Sequence, residues 1–204
     1  MNRKYVRLLT LLVALNMVIG VIGVWVYAKY IYNEESQVNI SINASLGTVA
    51  VLEHEARKNP DGTYTLETGK APLGAGQGNS YILIPGLDVA KDPFVKIDNN
   101  SDIPAYLFIV VDTNIPDDSG VTYSLEACWK PLEGYSNVYV YSENNEALNV
   151  AGKVTNIQIL QDDLIYVSQY LKPSGSVYLN FRACMGQIFK DATPEMVYES
   201  IPKN

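Results

Sequence analysis

The chain has 204 residues, of which 48% are hydrophobic, and its 15 Lys or Arg against 22 Asp or Glu give a formal net charge of −7. This acidic balance excludes a sequence-independent nucleic-acid binder, and the apolar content excludes a disordered protein. Two cysteines are too few for a disulfide-built scaffold or a Cys-rich zinc module.

The first 28 residues differ from the rest of the chain. An uncharged run from Leu8 to Ala28 follows the basic residues Arg3, Lys4 and Arg7. This layout is typical of an export signal, with Ala28 as the small residue at the cut site. The run is also close to the ~20 residues that span a bilayer, so a retained membrane anchor is the alternative. Both interpretations place the remaining residues, 29–204, outside the cell, exported through the Sec pathway.

The exported part is more acidic than the whole chain. Three of the 15 basic residues and none of the 22 acidic residues lie in the first 28 positions, which leaves 12 basic residues and a net charge of −10. Copies of such a protein repel one another at low salt. Any self-association should therefore rest on strand pairing and apolar contacts, and should strengthen as salt rises.

The exported part is predicted to be all-β. The span Gln37–Asn43 alternates strictly, which places Val38, Ile40 and Ile42 on one face of a strand. Short strands separated by Gly, Pro, Asn and Asp favour a sandwich or jelly roll. The continuous apolar run Ala105–Val111 indicates a strand covered on both faces. The other predicted strands are Thr48–Leu52, Tyr81–Ile84, Phe94–Ile97, Val121–Leu125, Val138–Tyr141, Val154–Leu160 and Ser176–Gln187.

Helical signals are few. A hydroxyl, a proline and an acid at Thr193, Pro194 and Glu195 predict the start of a short helix that ends near Pro202. A second short helix is predicted around Asp162–Leu171. The chain is thus divided into a signal peptide or signal anchor (1–28), an N-terminal arm (29–45), a jelly-roll β-sandwich (46–190), and a C-terminal helix and tail (191–204).

Two stretches carry turn signals. The span Asn59–Asn79 is rich in Gly and Pro, and it predicts a long surface excursion with a hairpin at Thr63–Glu67. The pair Pro85 and Gly86 predicts a type II turn, because Pro suits the second position of that turn and Gly the third.

The block at residues 81–112 resembles one shared by the TasA/camelysin-like proteins of Gram-positive bacteria. In that family a Pro-Gly turn is followed by Lys-Asp-Pro, a strand, a polar turn and a second apolar strand. Residues 177–201 are similar to the family's closing strand and C-terminal helix, and the N-terminal signal fits export through the dedicated peptidase SipW. The matching motif residues are Pro85, Gly86, Lys91, Asp92 and Pro93, for which a structural role is expected.

This resemblance implies a jelly-roll β-sandwich with a structural role in the extracellular matrix or at the cell surface. In biofilm fibres of the family, the N-terminal strand of one subunit pairs into the sheet of the next. Cleavage after Ala28 would here free an arm whose apolar face is Val38, Ile40 and Ile42, for pairing with another copy or a related matrix subunit. The alternative is that Gln37–Asn43 is the first strand of its own sheet.

The sequence gives no catalytic set. The single histidine, His54, lies between Glu53 and Glu55, and no HExxH pattern exists. Side chains alternate along a strand, so these three cannot converge on one metal, and an exposed polar strand end is expected. The acidic clusters Asp98–Asp102 and Asp117–Asp118 are interpreted as solvated turns. No metal and no cofactor are predicted; because some relatives carry a metalloprotease label, a secreted camelysin-type protease is the runner-up.

Cysteines and aromatic residues leave two further alternatives. In an exported protein Cys128 and Cys184 could form one disulfide, or both could be buried free thiols. The cluster that contains Trp129, Tyr139 and Tyr141 could stack sugars as a carbohydrate-binding surface, or could pack within a sheet.

Overall fold

The computed structural model describes residues 31–33, 48–99, 101–172 and 175–202. Within them the chain forms antiparallel β-sheets, one turn of 3-10 helix and one α-helix, which confirms the all-β prediction. The elements are β1 (Ile31–Asn33), β2 (Thr48–Leu52), β3 (Ala56–Lys58), β4 (Tyr64–Leu66), β5 (Val89–Ala90), β6 (Phe94–Asp98), β7 (Ala105–Thr113), β8 (Val121–Thr122), β9 (Trp129–Pro131), β10 (Val138–Glu143), β11 (Glu146–Ala147), β12 (Val154–Gln158), the 3-10 turn (Gln161–Asp163), β13 (Leu164–Val167), β14 (Leu179–Gln187) and α1 (Pro194–Ser200).

The largest sheet has six strands in the order β1-β14-β7-β10-β11, with β9 also pairing with β10. Its longest ladder joins β7 and β14 over all nine of their residues, from Ala105 opposite Gln187 to Thr113 opposite Leu179. The smaller sheets are β12-β6-β2, β5-β13-β8 and the hairpin β3-β4. Strand β4 of this hairpin lies in the predicted excursion, within the predicted Thr63–Glu67 span, but its partner β3 precedes the excursion.

Strand β7 is covered on both faces, as its apolar run predicted. Leu107 and Ile109 point into the larger hydrophobic cluster, which also holds the core residues of β2 and β6. Phe108 and Val110 point to the opposite face, into a smaller cluster closed by α1. Successive side chains of a strand alternate between faces, so a sheet with two buried faces needs an unbroken apolar sequence at its centre.

The C-terminal helix begins and ends as predicted. The Thr193 side chain accepts a hydrogen bond from the Met196 amide at 3.4 Å, and Pro194 occupies the first turn. The buried Val197 faces Gly186 on β14. A Cβ atom at Gly186 would lie only 2.5 Å from Val197 Cγ1, so the missing side chain is what lets α1 contact the sheet.

The predicted helix around Asp162–Leu171 is wrong. Only the turn Gln161–Asp163 is helical, and Asp162 and Asp163 have positive φ angles of 58° and 55°, which end any right-handed helix there. The following residues form β13, in which Ile165 and Val167 are buried while Leu164 and Tyr166 are half-buried. This period of two is a strand pattern, and β13 pairs with β5 and β8.

The predicted strand Tyr81–Ile84 is also wrong, although the turn beside it is confirmed. Only Ile84 makes a bridge, and its partner is Leu87 across the turn. The Leu87 amide donates to the Ile84 carbonyl at 3.0 Å, and Gly86 has a φ angle of +79°, as a type II turn requires. A Pro-Gly turn this tight reverses the chain before a strand can develop.

Several predictions fall outside the described residues. These are the signal segment 1–28 with its processing residue Ala28, and the arm residues Val38, Ile40 and Ile42. Among the residues that are described, no helix is both long and apolar enough to cross a membrane.

Filling the contact between β14 and α1 should destabilise the fold. We expect Gly186→Ala to lower the free energy of unfolding by about 1–3 kcal/mol, because the added methyl collides with Val197 and Ile201. Urea denaturation measures the loss. The control is Gly69→Ala, whose Cβ meets nothing within 4 Å. Equal stability of the two variants would contradict this view of the helix contact.

Candidate functional site

The motif residues Lys91, Asp92 and Pro93 form the connection between β5 and β6, and all three are buried. Lys91 is 8% exposed and Asp92 is 3% exposed. Charged side chains are almost never buried to this degree unless a partner of opposite charge or a full set of hydrogen bonds compensates them. The motif therefore requires partners from elsewhere in the chain.

Those partners are the residues that follow β2. The Lys91 ammonium forms an ion pair and hydrogen bond with Glu53 Oε2. Asp92 Oδ2 lies 2.6 Å from His54 Nδ1, and Asp92 Oδ1 accepts the backbone N–H of His54 at 3.0 Å. Two consecutive residues of one connection are thus matched, side by side, with two consecutive residues of another.

The strand register explains this match. Strands β2 and β6 pair antiparallel, with Leu52 at the end of β2 opposite Phe94 at the start of β6. Residues just after β2 must then face residues just before β6. The ring of Phe94 also lies 5.6 Å from the ring of His54, which provides an apolar contact on that side.

A third segment reaches the same place through Asn79, the last residue of the excursion. Asn79 Nδ2 donates to Glu53 Oε1 at 2.9 Å and to the His54 carbonyl at 2.8 Å. Its own backbone N–H donates to Glu53 Oε1 at 2.6 Å, and its Oδ1 accepts the Ala56 amide at 2.8 Å. Every polar atom of the Asn79 side chain is therefore used.

We refer to Glu53, His54, Asn79, Lys91 and Asp92 as the Glu53 network. The Glu53 carboxylate lies at the centre of this network. Glu53 is 4% exposed, and both of its carboxylate oxygens accept hydrogen bonds. The network joins β2, β6 and the excursion, three segments that are distant in sequence. A cavity of about 90 Å³ adjoins the network, lined in part by Gly76–Gly78 and by the first residues of β14.

The tyrosine beside the network has an unusual environment. The Lys91 ammonium lies 5.8 Å from the centre of the Tyr81 ring. The Tyr81 hydroxyl is buried and has no hydrogen-bond partner among the described residues. Burial, and then the charges of Glu53 and Asp92, raise the pKa of Tyr81 far above its usual value, so this side chain stays neutral.

A second carboxyl adjoins the network on the side of β13. The backbone N–H of Lys91 donates to the Asp163 carbonyl at 2.8 Å, and Gln158 Nε2 donates to Asp163 Oδ1 at 2.6 Å. Burial, followed by the nearby charge of Asp92, raises the pKa of Asp163. The carboxyl groups of Glu53, Asp92 and Asp163 thus lie close together, and Lys91 is the cation among them.

The prediction of an exposed polar strand end at residues 53–55 is wrong for Glu53 and right for Glu55, which is exposed. The alternation of side chains along a strand gives no sign that the buried Lys91 ammonium lies opposite Glu53. Asn79 was missed altogether, since an amide at the end of a Gly-rich loop carries no pattern of its own. The available signal was a Glu-His pair after one strand and a Lys-Asp pair before another.

The carboxylates and the histidine of the network are engaged with other groups of the protein. Across the described part of the chain, no three or more His, Cys, Asp or Glu side chains are grouped to hold a metal ion. His54 directs Nδ1 at Asp92. In the second acidic cluster Asp118 lies 2.6 Å from Lys172, whose hydrogen bond and charge lower the pKa of this exposed carboxyl.

The two cysteines are free thiols, so the disulfide considered from the sequence is not formed. Cys184 on β14 aligns across the sheet with Phe108, Val140 and then Lys130 of β9. Three strand spacings of ~4.8 Å put Lys130 roughly 14 Å from Cys184, and Cys128 lies two residues before Lys130, so it is at least as far away. A disulfide needs Cα atoms within about 7 Å.

The aromatic cluster packs within the sheet. Trp129 is 4% exposed, and its Nε1 donates to the Gln158 carbonyl at 2.8 Å. Tyr139 and Tyr141 pack against the larger hydrophobic cluster. The Trp129 ring is therefore buried in this structure and is not exposed for stacking on a sugar. A surface hollow of about 440 Å³ does lie beside Tyr141, with Lys153 and β12 along its wall.

Comparison with known proteins finds no match: no family model, no curated protein and no solved structure matches the chain. The resemblance to TasA/camelysin-like proteins therefore stays a prediction from the sequence, based on residues 81–112, residues 177–201 and the N-terminal signal. Of those residues, Lys91 and Asp92 are buried and paired, and Pro85 and Gly86 form the turn that precedes them.

Removing the cation of the network should cost much stability. We expect Lys91→Met to lower the free energy of unfolding by about 3–5 kcal/mol, because the Glu53 carboxylate stays buried without its partner. Urea denaturation is again the measurement. Lys96→Met on the exposed face of β6 is the matched control and should change stability by less than about 0.5 kcal/mol. A loss at Lys91 no larger than at Lys96 would refute the ion pair as a structural centre.

The thiols should differ in reactivity. Burial raises the pKa of Cys184 to about 12, so the thiol stays protonated and unreactive at about pH 8. We expect a thiol reagent to leave Cys184 unmodified in the folded protein. The unfolded protein, without reductant, should yield both thiols, and Cys128→Ser should yield one. Fewer than two thiols in the unfolded parent chain would show a bridge.

Proposed function

We propose that this chain is an exported, non-catalytic structural protein of the cell surface or extracellular matrix, a jelly-roll β-sandwich of the TasA/camelysin type. It assembles through its N-terminal arm, and its partner is a second copy or a related matrix subunit. The secreted metalloprotease and the sugar-binding module remain alternatives that were predicted from the sequence. The proposal is carried by one observation, the pairing of the arm with the large sheet.

A short part of the arm forms an edge strand. Strand β1, which lies in the arm, pairs antiparallel with β14 at the margin of the six-stranded sheet. Ile31 lies opposite Gly186 and Asn33 lies opposite Cys184, so β1 matches three residues of β14, whereas β7 matches all nine. A short strand held by few pairs is an element that can be exchanged between copies at low cost.

The chemistry of such pairing suits an acidic exported protein. Main-chain hydrogen bonds along a sheet edge do not depend on side-chain charge, so they form between copies that carry a net charge of −10. A strand donated from one copy to the edge of the next makes a head-to-tail contact, which does not close on itself and therefore gives a filament. The Val38, Ile40 and Ile42 face adds apolar burial to that contact.

Cleavage of the export segment determines whether the arm is free to pair with another copy. Removal of residues 1–28 after Ala28 frees the arm, whereas a retained segment tethers each copy to the membrane. N-terminal sequencing of the exported protein should find a start at or near Lys29. A retained Met1 would leave a tethered surface domain and would count against fibre growth.

The assembly proposal predicts a face-specific effect in the arm. We expect electron microscopy to show fibres of the exported protein, and replacing Val38, Ile40 and Ile42 together by Lys should abolish them, because the apolar face of the donor strand is lost. The matched control replaces Asn39, Ser41 and Asn43 by Lys, which adds the same charge to the opposite face and should leave fibres.

Two results would contradict assembly through the arm. One is the absence of fibres for the unsubstituted exported protein across a range of salt concentrations. The other is an equal loss of fibres in both triple variants, which would assign the effect to added charge and not to the apolar face.

A further inference from the structure

We propose that Asn79 and Lys91 become joined by an intramolecular isopeptide bond, which the Glu53 network forms without any other enzyme. The product is an amide between the Lys91 amine and the Asn79 side-chain carbonyl carbon, with release of ammonia. This proposal is independent of the assembly role, because it rests only on the three side chains that meet at Glu53.

The amine and the amide are held on the same carboxylate. Lys91 Nζ is bonded to Glu53 Oε2, and Asn79 Nδ2 donates to Glu53 Oε1 at 2.9 Å. Because both oxygens are attached to one carbon, the nucleophile and the amide that it attacks are confined to one small volume. Such confinement replaces a chance encounter by a fixed geometry, which is worth a large rate increase.

The amide is also oriented and polarised. Asn79 Oδ1 accepts the Ala56 backbone N–H at 2.8 Å, so a donor already points at the oxygen on which negative charge would develop. Asn79 Nδ2 is fixed from the other side by the His54 carbonyl at 2.8 Å. The amide plane is thereby set by three different groups, and the leaving nitrogen lies next to the Glu53 acid.

The site is shielded from water. The side chains of Lys91 and Glu53 are 10% and 5% exposed, and the Tyr81 ring lies 5.8 Å from the Lys91 ammonium. Exclusion of water strengthens the hydrogen bonds that act on the amide. It also protects the product, since hydrolysis of an amide requires a water molecule at the same carbon.

The reaction balances with the groups present. Glu53 removes one proton from the Lys91 ammonium, and the freed electron pair on Nζ attacks the Asn79 side-chain carbon. As the bond from that carbon to Nδ2 breaks, a second proton passes from Nζ to Nδ2 through the Glu53 carboxylate, and ammonia leaves. The new amide keeps the third proton of Nζ, and Glu53 ends protonated. Nothing is oxidised or reduced, and no co-reactant is needed.

The test is peptide mapping of the full-length chain purified under conditions that keep it folded. The chain is then unfolded and digested with trypsin. An amidated Lys91 is no longer a trypsin site, so residues 71–96 should appear as one peptide that is lighter by one ammonia. Further cleavage after Tyr81, inside the ring closed by the new bond, should leave the two halves joined.

Two results of the mapping would overturn the proposal. A peptide of unmodified mass that ends at Lys91 would mean that the network is an ion pair and hydrogen bonds only. A loss of ammonia with halves that separate after cleavage at Tyr81 would mean that Asn79 has cyclised onto its own backbone instead. Both results come from the unsubstituted chain, so this test of the isopeptide bond needs no variant.

Variants then test the role of Glu53. Glu53→Gln keeps the size of the side chain but cannot accept a proton, and it should restore trypsin cleavage after Lys91 together with the full mass. Lys91→Arg and Asn79→Ala should do the same by removing the two ends of the bond. The controls Lys96→Arg and Asn156→Ala change the same residue types at exposed positions and should keep the linked peptide. A linked peptide in Glu53→Gln would refute the role of Glu53 as base.

Discussion

The ion pair between Lys91 and Glu53 is the constraint on which the arrangement of this chain depends. A buried ammonium must have an anionic partner, and here the partner is Glu53, which directly follows β2 and lies against Lys91 in the connection that precedes β6. The β2-β6 register achieves this by placing Leu52 opposite Phe94. The excursion is then drawn in, because the second oxygen of the Glu53 carboxylate is satisfied by Asn79.

Local patterns predicted the elements whose cause is local. The apolar run of β7 and the cap at Thr193 were each sufficient, because burial on two faces and helix initiation are both written in neighbouring residues. The segment that became β13 was misread, since its acidic start looked helical while its pairing with β5 and β8 decided the outcome. Propensity is weak against such tertiary pairing.

The site was harder to predict than the fold, for a physical reason. Glu53 lies 38 residues from Lys91 in sequence, and the burial of each is tolerable only because of the other. No window of sequence contains both, so each one alone resembles an ordinary surface charge. The Lys-Asp-Pro motif identified one half of the contact by resemblance, and the register of two strands was needed to supply the other half.

The shortness of β1 affects the equilibrium between separate and associated copies of this protein. Three residue pairs with β14 are the same whether the strand comes from the same molecule or from a neighbour, so their energies cancel in the comparison. What remains is a competition between local concentrations: the arm's own, set by the fourteen residues that separate Asn33 from Thr48, and that of surrounding copies. Under the proposed assembly, crowding of copies would raise the second without altering a single contact, so the local density of the protein would itself favour polymerisation.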